Sequence, residues 1–287
     1  MGDNMIHKLD INNRAFNAIK EGRKKVEIRV TKVNGFDYSS IKKNDIIKFT
    51  SYDKDKFNCL VLDNVWYKTI EELLTVEGTK YTLSSTDDFD EGVKSIKSFK
   101  GYEEGMKLNG VHAIKIEPIP FVNLDNLECI TDIDLDKYLE YTKLVKDSME
   151  HPEWLGDFTK SDLEYLLSSG SKIWIYYYNG EFVCSMMFIP SDKKSLEKMN
   201  INYDYTMVSE YGPIMVNPKY VGNNLQYEML KRLDSYSKDN NYLYSISTIH
   251  PDNNYCINNF SKDNFEYLST KEFKRGTRNI YIKKIKN

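Results

Sequence analysis

The residues best suited to chemistry fall in two places. In the second half of the chain an apolar run ends at Val216 and gives way to Pro218-Lys219-Tyr220-Val221-Gly222-Asn223-Asn224. The pattern then resumes with Leu225, Met229, Leu233 and Tyr236 on one helical face. A strand that turns directly into a helix leaves main-chain amides at the helix start without intrahelical partners. Those amides and the helix dipole favour phosphate, and Gly222 permits close backbone approach. Many such turns bind nothing, so the loop alone predicts an anion site only weakly. Upstream, Glu210 falls near the middle of the preceding strand, where it is either a base or an ordinary exposed or salt-bridged glutamate.

The other place is near the N-terminus, where Lys24 precedes Lys25-Val26-Glu27-Ile28-Arg29-Val30. Strand alternation puts Lys25, Glu27 and Arg29 on one face and turns Val26, Ile28 and Val30 to a core. A lysine, a carboxylate and an arginine converging at a strand mouth can grip a nucleotide or phosphate. The competing reading is a solvated strand face with its own salt bridge.

Other chemistry is sparse. His7, His112, His151 and His250 form no ligand pair, so no structural metal is expected, and His250 is either part of an acceptor pocket or a framework residue. Cys59, Cys129, Cys184 and Cys256 are far apart, which excludes the zinc-ribbon spacing and disfavours a disulfide framework; a reducing cytoplasmic setting is expected. Forty Lys and Arg against 43 Asp and Glu leave a formal charge of −3, which argues against a generally basic nucleic-acid coat while allowing a local basic groove. The longest apolar stretch, 173–190, is interrupted by Asn179-Gly180-Glu181, too short for a membrane helix. Met1-Gly2-Asp3-Asn4 reads as neither a secretory signal nor a myristoylation site.

Positioning these groups takes two folding units, since 287 residues exceed one ordinary core. The seam is Glu117-Pro118-Ile119-Pro120, where two prolines one residue apart bar a central strand or helix, giving units 1–117 and 121–287. The first unit reads as a helix over 13–21 closed by Gly22, strands over 25–30, 45–50, 57–66 and 111–116, and a short helical piece at 70–74. That is the pattern of a small barrel. The second opens with Tyr138, Tyr141, Val145 and Met149 near helical spacing, followed by a hairpin, 173–178 and 181–189, around Asn179-Gly180. A strand over 205–216, the helix after the loop, a strand over 242–248, a helix over 254–263 and a strand over 279–285 complete an α+β order.

The segment 216–225 resembles the acyl-CoA pyrophosphate loop of the GNAT N-acetyltransferases. The stretch from Pro251 through Asn253, Asn254 and Phe260 to Lys262-Asp263-Asn264-Phe265 is similar to that family's Asn-led helix signature, and the hairpin at Asn179-Gly180-Glu181 resembles its early strands. This resemblance implies a mixed sheet flanked by helices and acetyl-CoA as co-substrate. Ile214 and Val216 would lend backbone groups to the pantetheine arm. The amides of Val221, Gly222, Asn223, Asn224 and Leu225 would hold the pyrophosphate, Asn253 would border the arm, and Glu210 would act as base. The chain departs from the family pattern at three points. Lys219 stands for the usual Gln or Arg, Val221 and Asn224 replace an Arg and a small residue, and Phe260 stands where a proton-donating tyrosine is common. Tyr255 or a water would have to serve instead.

Residues 16–29, with Ile19-Lys20-Glu21-Gly22-Arg23-Lys24-Lys25-Val26-Glu27-Ile28-Arg29, resemble the opening of ASCH domains, which are PUA-like barrels, and the likeness extends over about 6–117. It implies RNA or nucleotide-like binding through Lys24, Glu27 and Arg29, or hydrolysis of an acetylated nucleoside. Hydrolytic members carry Thr where Glu27 stands, so another acid, such as Glu103 or Glu104, would be needed, and binding is favoured. The combined expectation is an acetyl-CoA-dependent N-acyltransferase with an appended ASCH-like domain, no membrane partner, and a small-molecule, peptide or RNA-like amine as acceptor. The alternatives are a non-catalytic acyl-CoA sensor and an ASCH-type amidohydrolase.

Overall fold

The computed structural model describes residues 5–285, and the Met1–Asn4 stretch read above for targeting signals lies outside them. The chain divides into two compact units, one running through Phe121 and the other beginning at Val122.

In the N-terminal unit, β1 (Ile6–Ile11) leads into α1 (Asn13–Lys20) and β2 (Val26–Arg29). The unit continues through β3 (Ile46–Ser51), β4 (Lys56–Tyr67), α2 (Ile70–Glu77), α3 (Phe89–Lys97), α4 (Tyr102–Asn109) and β5 (Val111–Pro118). Asn12 caps α1 by accepting from the Ala15 amide, and Gly22 at φ +73° ends it in the left-handed conformation that a Cβ disfavours. The strands form one sheet in the order β1-β3-β4-β5-β2, with β1 parallel to β3 and the remaining pairs antiparallel. Its edges, β1 and β2, share no ladder among the described residues, so the barrel expected from the strand spacing is not closed by backbone pairing. A side chain crosses that seam: Arg29 Nη2 donates to the Asp10 carbonyl at 2.9 Å. The polar stretch between the short helix and the last strand, unassigned in the sequence reading, holds α3 and α4. Val26, Ile28 and Val30 pack against α2 and Met106 of α4 in one core, while Phe16, Ile47, Phe49 and Ile114 anchor another.

The C-terminal unit comprises β6 (Glu128–Ile130), α5 (Leu135–Asp147), α6 (Lys160–Ser168), β7 (Lys172–Tyr178), β8 (Glu181–Pro190), α7 (Lys193–Met199), β9 (Val208–Val216), α8 (Leu225–Asp239), β10 (Tyr244–Ile249), α9 (Asn254–Lys262), β11 (Glu266–Phe273) and β12 (Gly276–Lys284). Its seven strands run in the order β11-β12-β10-β9-β8-β7-β6. The β7–β8 hairpin turns at Asn179 (φ +50°) and Gly180 (φ +77°), as that dipeptide predicts. Leu225, Met229, Leu230 and Leu233 of α8 bury against Val183, Phe188 and Tyr211 on one face of the sheet. On the other face Leu196, Met199, Val208, Ile246 and Ile280 form a separate cluster. The molecule is thus α+β, with mixed sheets and helices in both units. Among the described residues no helix is long and apolar enough to cross a membrane.

Candidate functional site

Strand β9 lies between β8 and β10 and keeps only one of them along its whole length. With β8 it pairs antiparallel from Ser209 to Val216. With β10 it pairs in parallel only at Val208, Ser209 and Glu210, opposite Tyr244, Ser245 and Ile246. Beyond that point β10 continues with β12 as far as Ile249 opposite Asn279, and the two parallel neighbours part. The Ser247 hydroxyl closes the base of the fork, donating to the Tyr211 carbonyl at 3.0 Å. Pro213 carries no N–H, and among the described residues β9 has no ladder partner on its fork side from Gly212 to Val216. Ile214 and Val216, both half-buried, lie on this stretch.

The fork leads to the loop. Asn217 pins the end of β9 to β8, its amide donating to the Val183 carbonyl (2.8 Å) and its side chain to that of Phe182 (2.7 Å). A 3-10 turn over Pro218–Tyr220 follows. Gly222 at φ +95° and Asn224 at φ +61° then bring the chain to α8. Asn223 holds the bend internally, its Nδ2 donating to the Tyr220 carbonyl (3.0 Å) and its Oδ1 accepting from the Val122 amide (3.3 Å). Asn224, at the N-cap, makes no side-chain cap bond. The first-turn amides of Leu225, Gln226 and Tyr227 therefore keep the anion-binding character of an open helix end.

Two expected ligands of the loop are engaged elsewhere. The Val221 amide donates to the Pro218 carbonyl at 3.3 Å, because the 3-10 turn places it there. The Lys219 ammonium pairs with Glu181 at 2.7 Å, and the Tyr220 hydroxyl bonds the same carboxylate at 2.6 Å, holding it below the usual glutamate range. Asn253 caps α9, accepting from the Cys256 amide at 3.1 Å. Sequence reasoning missed Gln226. Buried in the first turn of α8, it donates to Cys256 Sγ and accepts from Asn259, fastening α8 to α9. Phe260 is buried against Phe265. The Tyr255 phenol, half-buried, has its pKa raised by burial and keeps its proton.

Glu210 stands at the apex of the fork. Some of its surface stays open, but protein crowds the carboxyl, and that desolvation raises its pKa; Arg275 opposes the shift and Asp192 adds to it. In-register pairing puts Glu210 on the same face as Ile246, and alternation adds Thr248 of β10 and Arg278 of β12, with His250 just past the end of β10. Arg275, at the β11–β12 turn, reaches back so that its Nη2 donates to Thr248 Oγ1 at 2.6 Å. Arg278 is 1% exposed, and its Nη2 donates to the Glu153 carbonyl at 2.8 Å. The Trp154 ring stacks between His151 (4.5 Å) and His250 (5.3 Å), so His250 packs against an aromatic ring at the end of β10. Nothing in the local sequence singles out Thr248, Arg275 or Arg278; they converge only through the pairing of β9, β10 and β12.

In the N-terminal unit Lys24, Glu27 and Arg29 do come together, in a cavity of about 240 Å³. Their setting differs from the solvated face that alternation allowed. Glu27 is 6% and Lys24 5% exposed, because the 82–85 segment, the end of α3 and Tyr102 close over them, and Lys25 points outward, over the Tyr81 ring. Glu27 lies 3.4 Å from the Lys24 ammonium and 2.9 Å from Arg29 Nε; the latter contact is an ion pair whose angle is too poor for a hydrogen bond. Lys24 also donates to the Val26 carbonyl at 2.5 Å and to that of Thr82, and burial lowers its pKa despite Glu27. Arg14, Lys32 and Lys100 with Tyr52, Phe99 and Tyr102 line the rest. Glu103 and Glu104 are exposed on α4, with Glu103 paired to Lys107, and neither lines this cavity.

No protein-family profile matches the chain. No curated protein matches it significantly. Among solved structures, the hypothetical protein PH0355 is 31% identical, covering 40% of this chain and 100% of that one at a TM-score of 0.35. An N-acetyltransferase from Staphylococcus aureus Mu50 is 17% identical over 56% of this chain and 99% of that one, at a TM-score of 0.45. The acetyltransferase yncA from Salmonella typhimurium, solved with acetyl-CoA and described as putative, is 14% identical over 56% of this chain and 95% of that one, at a TM-score of 0.42.

Proposed function

We propose that the C-terminal unit is an N-acyltransferase using acetyl-CoA as donor, and that the N-terminal unit, an ASCH-like domain, binds a nucleotide-like or RNA ligand. The observation that carries the first reading is the fork between β9 and β10, with Glu210 at its apex and the open N-terminus of α8 at its mouth. An extended amide-containing arm can add its hydrogen bonds to the unpartnered edge of β9 at Ile214 and Val216, as a further strand would. A diphosphate at the end of that arm meets the first turn of α8, where the bend from Gly222 through Asn224 presents the amides.

When bound, acetyl-CoA supplies a thioester acyl group, so that an N–C bond forms as the C–S bond breaks. Glu210 takes the proton the amine must lose; its raised pKa brings a carboxylate closer to neutrality, where general bases work best. Main-chain amides along the fork edge of β9 supply donors for the developing oxyanion. Tyr255 still holds its proton and is the protein's candidate donor to the departing thiolate, in place of the buried Phe260.

The test is a thermal shift titration with acetyl-CoA and CoA, followed by thiol release. A ligand at ~100 times its dissociation constant raises stability by about 2.7 kcal/mol. Absence of a shift with either compound overturns the transferase reading. Binding without turnover favours an acyl-CoA sensor, a second reading supported by Phe260 at the proton-donor position. For the N-terminal unit, loss of salt-dependent RNA or nucleotide retention in Lys24→Ala supports binding. Lys24 is held by two carbonyls and Glu27, an arrangement that favours a binding role over that of a free nucleophile or base.

A further inference from the structure

The face of the sheet that carries Glu210 also carries two arginines, Arg275 and Arg278, that form no ion pair among the described residues. Arg278 is 1% exposed and its Nε has no hydrogen-bond partner. Its two bonded nitrogens reach only main-chain carbonyls, those of Thr277 and Glu153. Arg275 is exposed and bonds the neutral Thr248 hydroxyl. Among the described residues neither guanidinium lies within ion-pair distance of a carboxylate, though most charged side chains this deeply buried are paired. Burial, and then the nearby Arg275 charge, lower the Arg278 pKa, while Glu153 and Glu272 oppose that only through space.

We propose that the acceptor is an amine that also bears a carboxylate, with Arg275, backed by the charge of Arg278, holding that carboxylate while Glu210 receives the amine proton. This rests on the transferase reading and narrows its substrate class to amino-acid-like molecules. Arg275 sits on Thr248, two residues along β10 from the partner of Glu210. An acid gripped there places an amine a few bonds away over the Glu210 carboxyl. A guanidinium presents two parallel N–H groups that match a carboxylate. A phosphate dianion fits less well, because Glu210 and Asp192 face the same space and repel the second negative charge. Gly156 matters for room: a Cβ there would lie 3.0 Å from Arg275 Nη1.

The experiment measures thiol release from acetyl-CoA with free amino acids, each against its own carboxamide and against aminoalkyl phosphates, with equilibrium dialysis of the same compounds on CoA-loaded protein. The expected result is at least tenfold higher kcat/KM, or tighter binding, for the acid than for its amide. Arg275→Ala should raise KM for the acid about tenfold and leave the amide little changed, and Arg275→Lys should restore part of the preference. Equal handling of acid and amide in both assays, a preference for aminoalkyl phosphates, or an equal loss on both substrates in Arg275→Ala overturns the proposal. In each of those cases a retained acetyl-CoA thermal shift leaves the transferase reading standing; if that shift is absent, both fall.

Discussion

Glu210 and Ile246 are the last register partners that β9 and β10 share. Everything assigned to the C-terminal unit follows from that parting. Strand β9 stays with β8, its other edge is left without a ladder beyond Glu210, and a carboxyl crowded by protein is held at the point of divergence.

Glu210→Gln should abolish the acid limb of the pH–rate profile for acyl transfer and lower kcat by about 10²–10⁴. In the wild type that limb should lie above pH 4.5, since burial raises this carboxyl from that value. Turnover unchanged by the substitution removes Glu210 from the mechanism. The same shift has a signed consequence for stability. The folded state holds the Glu210 proton more tightly than the unfolded state, so its stabilising contribution is complete below pH 4.5 and is lost as pH rises through the folded value. Glu210→Gln should therefore melt higher than wild type at pH 8, with the difference vanishing near pH 4.

Gly222→Ala tests the loop. A φ of +95° suits glycine, and a Cβ in such a conformation costs about 1–2 kcal/mol. Acetyl-CoA binding measured by calorimetry should weaken about tenfold, with Gly222→Asn milder because asparagine tolerates positive φ. Unaltered affinity in Gly222→Ala places the diphosphate elsewhere.

Glu27→Ala tests the N-terminal cavity. Removing the carboxylate leaves Lys24 and Arg29 buried as unneutralised cations, and breaking a buried pair in this way costs about 3–5 kcal/mol. Urea unfolding of the full chain should show that loss. A change below about 1 kcal/mol means that the cavity is wetter than its burial indicates.

How far the sequence was legible depends on the range over which each feature is encoded. Gly22, Asn179-Gly180, Gly222 and the Leu225–Met229–Leu233 stripe act over one or two turns of chain, so the α1 end, the β7–β8 hairpin and the loop into α8 were readable as they stand. The polar stretch that became α3 and α4 was not. Asp88 caps α3, but the helices it starts have few buried residues and are held by α2 and Leu83, which lie earlier in the chain.

The residues of the two sites divide in the same way. Composition, turn chemistry and alternation determined an α+β chain of two units, with Glu210 on a strand and Lys24, Glu27 and Arg29 beside one another. Alternation also left open a solvated Glu27, because period-two reasoning sees one sheet face at a time and cannot see what packs over the other. Only the tertiary structure decided where β9 and β10 separate, that Lys219 pairs with Glu181, and that Arg275 reaches Thr248 near the Glu210 carboxyl. Those relationships join residues 27 to 38 positions apart, and strand register and packing bring them together where no local pattern records them.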